Sequence, residues 1–119
     1  MTIKRKHISK TMRLQVLQKY NHHCAYCGCE ISFKSMRVDH FLPLQKGGLD
    51  EEGNYMPACH QCNHYKSVFT IEQFRNNLKS VHERLLLPFL PRLCEKYGII
   101  AIKPFDGKFY FEKLEEKTK

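Results

Sequence analysis

Hydrophobic residues recur with helical spacing in three parts of this 119-residue chain. The first part predicts a helix over residues 10–20, with an apolar stripe made of Met12, Val16, Leu17 and Tyr20. The second begins after Thr70, which forms a capping box with Gln73, and its stripe consists of Ile71, Phe74, Leu78, Val81 and Leu85. Pro88 ends that helix, and the third helix is predicted over about residues 89–97.

Other segments have the two-residue period of strands. Residues 36–41 predict a short strand that Pro43 stops, and a Gly47-Gly48 turn leads back into residues 49–56. In the tail, apolar residues alternate on both sides of an Asp106-Gly107 turn, which predicts a terminal β-hairpin over about residues 99–114. A short helix is predicted to begin near Cys62. The fold class is therefore expected to be α+β.

Length and composition indicate a globular protein of one domain. Hydrophobic residues make up 42% of the chain and charged residues 27%, which is ordinary for a folded domain. No apolar run approaches the roughly 20 residues needed to span a bilayer. The basic start of the chain is followed by no apolar segment of a secretory signal, so we expect a cytoplasmic location and no membrane partner.

The charge balance favours a polyanionic partner. Twenty Lys and Arg residues against twelve Asp and Glu residues give a net charge of +8. Nucleic acid is the usual partner of such a protein, although a basic surface that serves only solubility is the alternative. A basic arm near the start is expected to lie along a phosphate backbone, and it consists of Lys4, Arg5, Lys6 and Lys10.

The cysteines are spaced for a metal ion. Cys24 and Cys27 form one C-x-x-C knuckle, and Cys59 and Cys62 form another. In a reducing compartment, paired knuckles of this kind indicate zinc rather than disulfides, and four thiolates make a closed structural site. The segment between the knuckles is longer than in a simple zinc ribbon, so it has room for a functional site.

Other side chains compete for a place in this metal site. Cys29 crowds the first knuckle, but its spacing does not match that of the second one. His60 and His64 flank the second knuckle and can replace a thiolate, although contact with phosphate or solvent is the preferred interpretation. Cys94 lies on an apolar helical stripe and is expected to be a small core residue.

The inserted segment carries groups suited to phosphodiester hydrolysis. His40 is a candidate general base, because an imidazole ordinarily titrates near neutral pH. Asp39 and Asn63 offer the oxygen ligands that Mg²⁺ or Mn²⁺ prefers, and Asn54 can form a hydrogen bond with the His40 ring and so hold its orientation. Neighbouring strand residues point to opposite faces, so both Asp39 and His40 can flank one phosphate only if the strand twists as it ends.

The order D-H-x-x-P, then G-G, then N, then C-x-x-C-N-x-x-K resembles the zinc-knuckle HNH endonucleases. The resemblance covers about residues 24–67, somewhat over a third of the chain, with both knuckles in register. It implies a small ββα-metal core stapled by a four-cysteine zinc site. Helices would flank this core on both sides, with a helical extension over about residues 70–97 before the terminal hairpin.

The resemblance also implies roles for single residues. His40 corresponds to the first histidine of the motif and would be the base, while Asn54 would orient that base through the backbone. Asn63 stands where the last histidine usually stands and, with Asp39, would bind one catalytic Mg²⁺ or Mn²⁺ ion; His64 is the alternative if the register slips by one. Lys66 matches a position that commonly meets phosphate, and further contacts with nucleic acid are expected from Arg75, Lys79 and Arg84.

Taken together, these features predict a metal-dependent endonuclease that nicks or cleaves DNA, acting as a monomer or homodimer. The family implies 5′-phosphate and 3′-hydroxyl products, and it often occurs in phages and mobile elements. The main alternative is a non-catalytic zinc-knuckle module that binds nucleic acid. Structured RNA as the substrate is a second alternative, and a disulfide-linked structural protein is a third.

Overall fold

The computed structural model describes residues 7–117, so Lys4, Arg5 and Lys6 of the predicted basic arm lie outside the described residues. The chain divides into two compact units. The first contains the described residues up to Ile71 together with those from Phe109 onward, and the second is Glu72–Lys108. That all 119 residues form one domain stays a prediction.

A two-stranded antiparallel sheet forms the centre of the first unit. Strand β1 (Arg37–His40) pairs with strand β2 (Tyr55–Ala58), and this pairing sets Asp39 opposite Met56 and His40 opposite Tyr55. All of β2 is buried, as are the last three residues of β1. The predicted first strand is thus confirmed over its central residues, while β2 shares only Tyr55 and Met56 with residues 49–56 and continues to Ala58.

Helix α1 (Lys10–Gln18) begins at Ser9, whose side chain accepts a hydrogen bond from the backbone of Met12. It buries Val16 and Leu17 in the core, as the apolar pattern predicts. Just beyond its end, the Lys19 ammonium donates to the backbone carbonyls of Glu52 and Tyr55, at 2.7 Å each. These bonds attach α1 to a 3₁₀ turn (Glu52–Asn54) and to the first residue of β2.

Helix α2 (His60–Lys66) follows β2 directly and begins two residues before the predicted start. Cys59 is its N-cap, because the Cys59 sulfur accepts a hydrogen bond from the backbone N–H of Cys62. The second knuckle is therefore the first turn of a helix that carries Asn63 and Lys66. The position of the cysteine pair therefore sets the positions of Asn63 and Lys66.

The second unit contains nearly all of α3 (Ile71–Lys79), together with α4 (Val81–Leu86) and α5 (Phe89–Lys96). The single long helix predicted before Pro88 is wrong, since Ser80 separates α3 from α4. The Ser80 hydroxyl donates to the carbonyl of Asn77 at 2.8 Å, a local bond that competes with helix continuation. Of the predicted stripe, Phe74 is fully buried whereas Leu85 is exposed.

The predicted terminal hairpin over residues 99–114 is wrong. Residues 99–109 contain no strand, and the chain continues as helix α6 (Tyr110–Lys117). Asp106 does form a turn by accepting from the backbone N–H of Lys108, but the Glu112 side chain then accepts from the backbone N–H of Phe109 and caps a helix. Phe109 and Phe111 alternate with other residues because both are buried, one just before α6 and one in its first turn, and not because they belong to a strand.

The start of α6 packs against the first knuckle. The backbone N–H groups of Tyr110 and Phe111 donate to the carbonyls of Tyr26 and Ala25. The rings of Phe109 and Phe111 both meet the Tyr26 ring edge-on, with centroids 5.6 and 6.3 Å away. Helix α6 therefore covers the knuckle and its neighbouring aromatic core.

Within residues 7–117, no helix has both the length and the apolar character needed to cross a membrane.

Replacing Phe109 with alanine tests whether α6 belongs to this core. Phe109 is only 2% exposed, so Phe109→Ala should lower the free energy of unfolding by about 3–5 kcal/mol. Denaturant titration followed by circular dichroism measures the change. Phe89→Ala is the matched control, because Phe89 is 69% exposed and its loss should cost far less. Equal effects of the two substitutions would contradict the packing of α6.

Candidate functional site

The four cysteines of the two knuckles converge on one point. The sulfur atoms of Cys24, Cys27, Cys59 and Cys62 all lie within 4.8 Å of one another. The sulfurs of Cys27 and Cys59, which belong to different knuckles, are 3.8 Å apart. This clustering confirms the predicted set of four and can hold one metal ion.

Backbone contacts hold the two knuckles together. The Ala25 N–H donates to the carbonyl of Pro57, the residue two positions before the second knuckle, at 2.9 Å. Gly28 closes the first knuckle with a φ of 83°, a conformation that glycine adopts without a steric penalty. A Cβ atom at Gly28 would lie 2.6 Å from the Tyr110 ring, so glycine is also required by the packing of α6.

Two of the clustered thiols, those of Cys24 and Cys62, share a hydrogen bond that changes the pKa of both. A hydrogen bond from Cys62 lowers the pKa of the Cys24 thiol to about 4, and the same bond raises the pKa of Cys62. The thiolate form is therefore favoured at Cys24 and disfavoured at Cys62. A divalent cation favours the thiolate form of every ligand, and an all-sulfur set of four is the donor chemistry that structural zinc prefers. The cluster is compatible with zinc.

The competing ligands are not members of this set of four, although one of them borders it. Cys29 is exposed and is not one of the four clustered sulfurs within the described chain, but its thiol contacts those of Cys27 and Cys59. His60 and His64 are exposed on α2, where their rings stack on each other with centroids 6.1 Å apart. Cys94 is half-buried on α5 in the second unit.

A cleft of about 230 Å³ lies between the end of β1 and helix α2. Asp39 and His40 line it from β1, and Asn63 lines it from α2. The strand ends at His40, and this lets two neighbouring residues reach the same cleft, as the predicted site requires. His64 does not line the cleft, so the geometry agrees with the register that uses Asn63.

Asp39 sits in a buried polar network. Its Oδ2 atom accepts hydrogen bonds from the Tyr26 hydroxyl at 2.6 Å and from the Lys66 ammonium at 2.9 Å. Burial raises the pKa of the Asp39 carboxyl, and the nearby Lys66 charge and the Tyr26 hydrogen bond only partly oppose this effect. Both partners use Oδ2, so Oδ1 is engaged by neither.

Lys66 is a fully buried cation. Besides pairing with Asp39, its ammonium donates to the backbone carbonyl of His40 at 3.0 Å. The prediction that Lys66 contacts phosphate is wrong for this structure, because the side chain has no exposed surface. The long aliphatic stem spans the core, and the charge compensates a buried carboxylate instead.

The His40 ring has a carboxylate partner that the sequence analysis missed. Its Nε2 atom lies 2.8 Å from Oδ1 of Asp50, and the two side chains are only 8% and 13% exposed. Tyr55 donates its hydroxyl to the same Oδ1 at 2.8 Å and presents its ring edge-on to the imidazole. Asp50 follows the Gly-Gly turn, where an acidic residue is ordinarily interpreted as part of the turn. Its role as a partner of His40 becomes visible only in the folded structure, where the two side chains meet.

Asn54 does not contact the His40 ring, which corrects the expectation of a direct bond. Its amide oxygen accepts from the backbone N–H of Leu42, and its amide nitrogen donates to the carbonyls of Leu42 and Leu49. The backbone carbonyl of Asn54 also accepts from the N–H of Phe41. Asn54 thus fixes the loop that leaves β1, in keeping with orientation of the base through the backbone.

The basic side chains predicted to contact nucleic acid differ in how exposed they are to solvent. The Arg75 guanidinium forms an ion pair with Glu72 and donates to the carbonyl of Gly107, and its side chain is 12% exposed. Arg84 donates to the carbonyl of Asn77, but its side chain is exposed. Lys79 is exposed. Among the predicted cations, Lys79 and Arg84 are accessible to a ligand, whereas Arg75 is already engaged within its own unit.

Comparison with known families matches residues 24–69 to the HNH endonucleases. The segment belongs to that family. The matched residues include both knuckles, β1, β2 and α2, so the predicted HNH resemblance is confirmed for this part of the chain. The match identifies residues 24–69 as a nuclease-type segment.

Relatives of the HNH segment are found within much larger proteins. The chain is 38% identical over 55 residues to the CRISPR-associated endonuclease Cas9 of Corynebacterium diphtheriae, covering 45% of this chain and 5% of that protein. It is 33% identical over 57 residues to the Cas9 of Actinomyces naeslundii, covering 47% of this chain and 5% of that protein. The crystal structure of the type II-C Cas9 from Actinomyces naeslundii matches with a TM-score of 0.53 and 27% identity, covering 69% of this chain and 10% of that one.

Removing one clustered sulfur tests whether the cluster holds a metal ion. Cys24→Ser is expected to lower the zinc content of the purified protein from one ion per chain to nearly none and to unfold the first unit, because binding energy at such a site is folding energy. Atomic emission and thermal melting measure the two effects. Cys29→Ser is the matched control, since Cys29 borders the cluster but is not one of its four converging sulfurs. Loss of zinc in the control alone would overturn the assignment.

Proposed function

We propose that this protein is a metal-dependent endonuclease that hydrolyses phosphodiester bonds, with DNA as its substrate. The observation that carries the proposal is the convergence of Asp39, His40 and Asn63 on one cleft within a segment of the HNH family. The relatives named as endonucleases support the reaction class. The choice of DNA rests on the family resemblance and on the basic character of the chain.

His40 is proposed as the general base. It lies at the end of β1, lines the cleft and has a ring held on one side by Asp50. In this role, one ring nitrogen takes a proton from a water molecule as the water oxygen attacks phosphorus. Asn54 supports the base from a distance, by fixing the loop between β1 and the 3₁₀ turn.

Asp39 and Asn63 are proposed to hold one Mg²⁺ or Mn²⁺ ion. Their carboxylate and amide oxygens are hard donors of the kind these ions prefer, and the Oδ1 atom of Asp39 is not used by Tyr26 or Lys66. When bound, such an ion supplies positive charge to the oxygens of the scissile phosphate. Lys66 keeps the carboxylate compensated and positions it, because its ammonium also holds the backbone of His40.

The ion between the knuckles is proposed to be zinc with a purely structural role. A closed set of four thiolates leaves no open position for substrate, and so the knuckles and the cleft have separate tasks. Cys59 and Cys62 begin the same helix that carries Asn63. The bound zinc would therefore fix the position of a catalytic ligand.

Contacts with the nucleic acid backbone are proposed for Lys79 and other exposed cations. A net charge of +8 favours affinity that is independent of sequence and falls steeply with added salt. The described residues 7–117 hold one cleft lined by Asp39, His40 and Asn63, so a monomer would nick a single strand and a homodimer would be needed to cut both strands in one event.

Conversion of supercoiled plasmid tests the proposal. The zinc-loaded protein should nick plasmid with Mg²⁺ or Mn²⁺ and lose this activity with EDTA. His40→Ala should reduce the rate by about 10²–10⁴-fold, the usual contribution of a general base. His64→Ala is the control, because His64 is exposed and does not line the cleft.

Three outcomes would count against the proposal. Unchanged cleavage in His40→Ala would show that His40 is not the base. A larger loss in His64→Ala would favour His64 over Asn63 as the metal ligand. A folded protein that binds DNA but cuts neither plasmid, single strands nor RNA would favour the non-catalytic zinc-knuckle module. Preference for structured RNA over duplex DNA would retain the chemistry and change the substrate.

A further inference from the structure

The proposed hydrolysis uses Asp50 only to hold the His40 ring and does not say which ring nitrogen takes the proton. Asp50 is 13% exposed and directs Oδ1 at Nε2 of His40, 2.8 Å away. A carboxylate accepts hydrogen bonds and does not donate them, so Nε2 carries the hydrogen in this contact. The neutral imidazole then keeps its lone pair on Nδ1.

We propose that Asp50 is a positioning residue that fixes the tautomer of His40 and thereby makes Nδ1 the atom that takes the proton from water. This inference rests on the proposed function, because it specifies how His40 works as a base. Nδ1 gains the proton as the water oxygen bonds to phosphorus, and the bond from phosphorus to the leaving oxygen breaks. That oxygen then takes a proton from solvent. The Asp50 carboxylate, still unprotonated, stabilises the imidazolium that forms.

Tyr55 fixes the carboxylate in turn. Its hydroxyl donates to the same Oδ1 at 2.8 Å, and its ring lies edge-on to the imidazole with centroids 5.5 Å apart. His40 and Tyr55 are directly opposite each other in the β1–β2 pair. The sheet register thus brings the base, its carboxylate and a second donor into one buried group.

This arrangement also explains how Asn54 acts on a ring that it does not touch. Its amide nitrogen donates to the carbonyl of Leu49, the residue immediately before Asp50. Gly48 permits this approach, because a Cβ atom there would lie 1.8 Å from the carbonyl oxygen of Leu42 and 2.9 Å from the Asn54 amide nitrogen. Asn54 therefore holds the loop that delivers Asp50 to His40.

The imidazole ¹⁵N spectrum of the zinc-loaded full chain tests the tautomer without any cleavage. Long-range ¹H–¹⁵N correlations, recorded without added Mg²⁺ or Mn²⁺ at an alkaline pH where the rings are neutral, distinguish the two tautomers, and His40→Ala identifies the His40 signals. The wild type should show the Nε2–H form of His40. Asp50→Ala should shift the ring towards a mixture of both forms.

Three further variants separate this effect from damage to the loop. Asp50→Asn takes the place of the alanine variant if that variant folds poorly. It retains an oxygen acceptor in the same place and should largely keep the Nε2–H form. Tyr55→Phe removes the other donor to Asp50 and should also keep it. Glu51→Ala removes the adjacent exposed carboxylate and should leave the His40 signals unchanged.

Plasmid nicking adds a functional reading. The rate constant at saturating DNA should fall about 100-fold in Asp50→Ala, with a smaller change in the half-saturating DNA concentration, because the base is misplaced while the binding surface remains. An Nδ1–H form in the wild type, or an unchanged tautomer and rate in Asp50→Ala, would overturn the role of Asp50. Wild-type protein that shows the Nε2–H form but cuts nothing would instead contradict the proposed function, and with it the catalytic part of this inference.

Discussion

The buried ion pair between Asp39 and Lys66 fixes the elements of the first unit around the cleft. Lys66 reaches from α2 to the Asp39 carboxylate and to the backbone of His40 on β1, while Tyr26 adds a hydrogen bond from the first knuckle. Removing one partner of such a pair typically costs about 3–5 kcal/mol, because the other charge stays buried. Since Tyr26 also packs on Phe109, the same network ties α6 to the site.

This constraint and the proposed chemistry share one carboxylate. Lys66 and Tyr26 occupy Oδ2 of Asp39, which keeps a charged group stable in a buried position while Oδ1 stays unengaged by them. His40 is held in a comparable way, by Lys66 at its backbone carbonyl and by Asp50 at its ring. The cleft is therefore built from groups whose positions are set by the surrounding fold, a requirement for precise proton transfer.

Sequence patterns predicted the elements whose signals are local. Spacing and the HNH resemblance predicted the two C-x-x-C knuckles, β1, the helix that carries Asn63 and a site shared by Asp39 and Asn63. The prediction of a terminal hairpin was wrong because Phe109 and Phe111 alternate for another reason: both rings pack on Tyr26. The start of a capped helix can show the same short alternation of apolar residues as a strand. The buried state of Lys66 was also out of reach, since a lysine on a short helix is ordinarily solvated, and its partner lies 27 positions earlier in the chain.

Anomalous diffraction from a crystal soaked in Mn²⁺, with data at the zinc and manganese edges, tests the central assignment most directly. Zinc should appear among the four clustered sulfurs, and manganese should appear in the cleft between the oxygens of Asp39 and Asn63. Asp39→Ala crystals should lose the manganese signal while keeping the zinc. Manganese that avoids the cleft and binds elsewhere, such as at His60 and His64, would contradict a hydrolytic site built on Asp39 and Asn63.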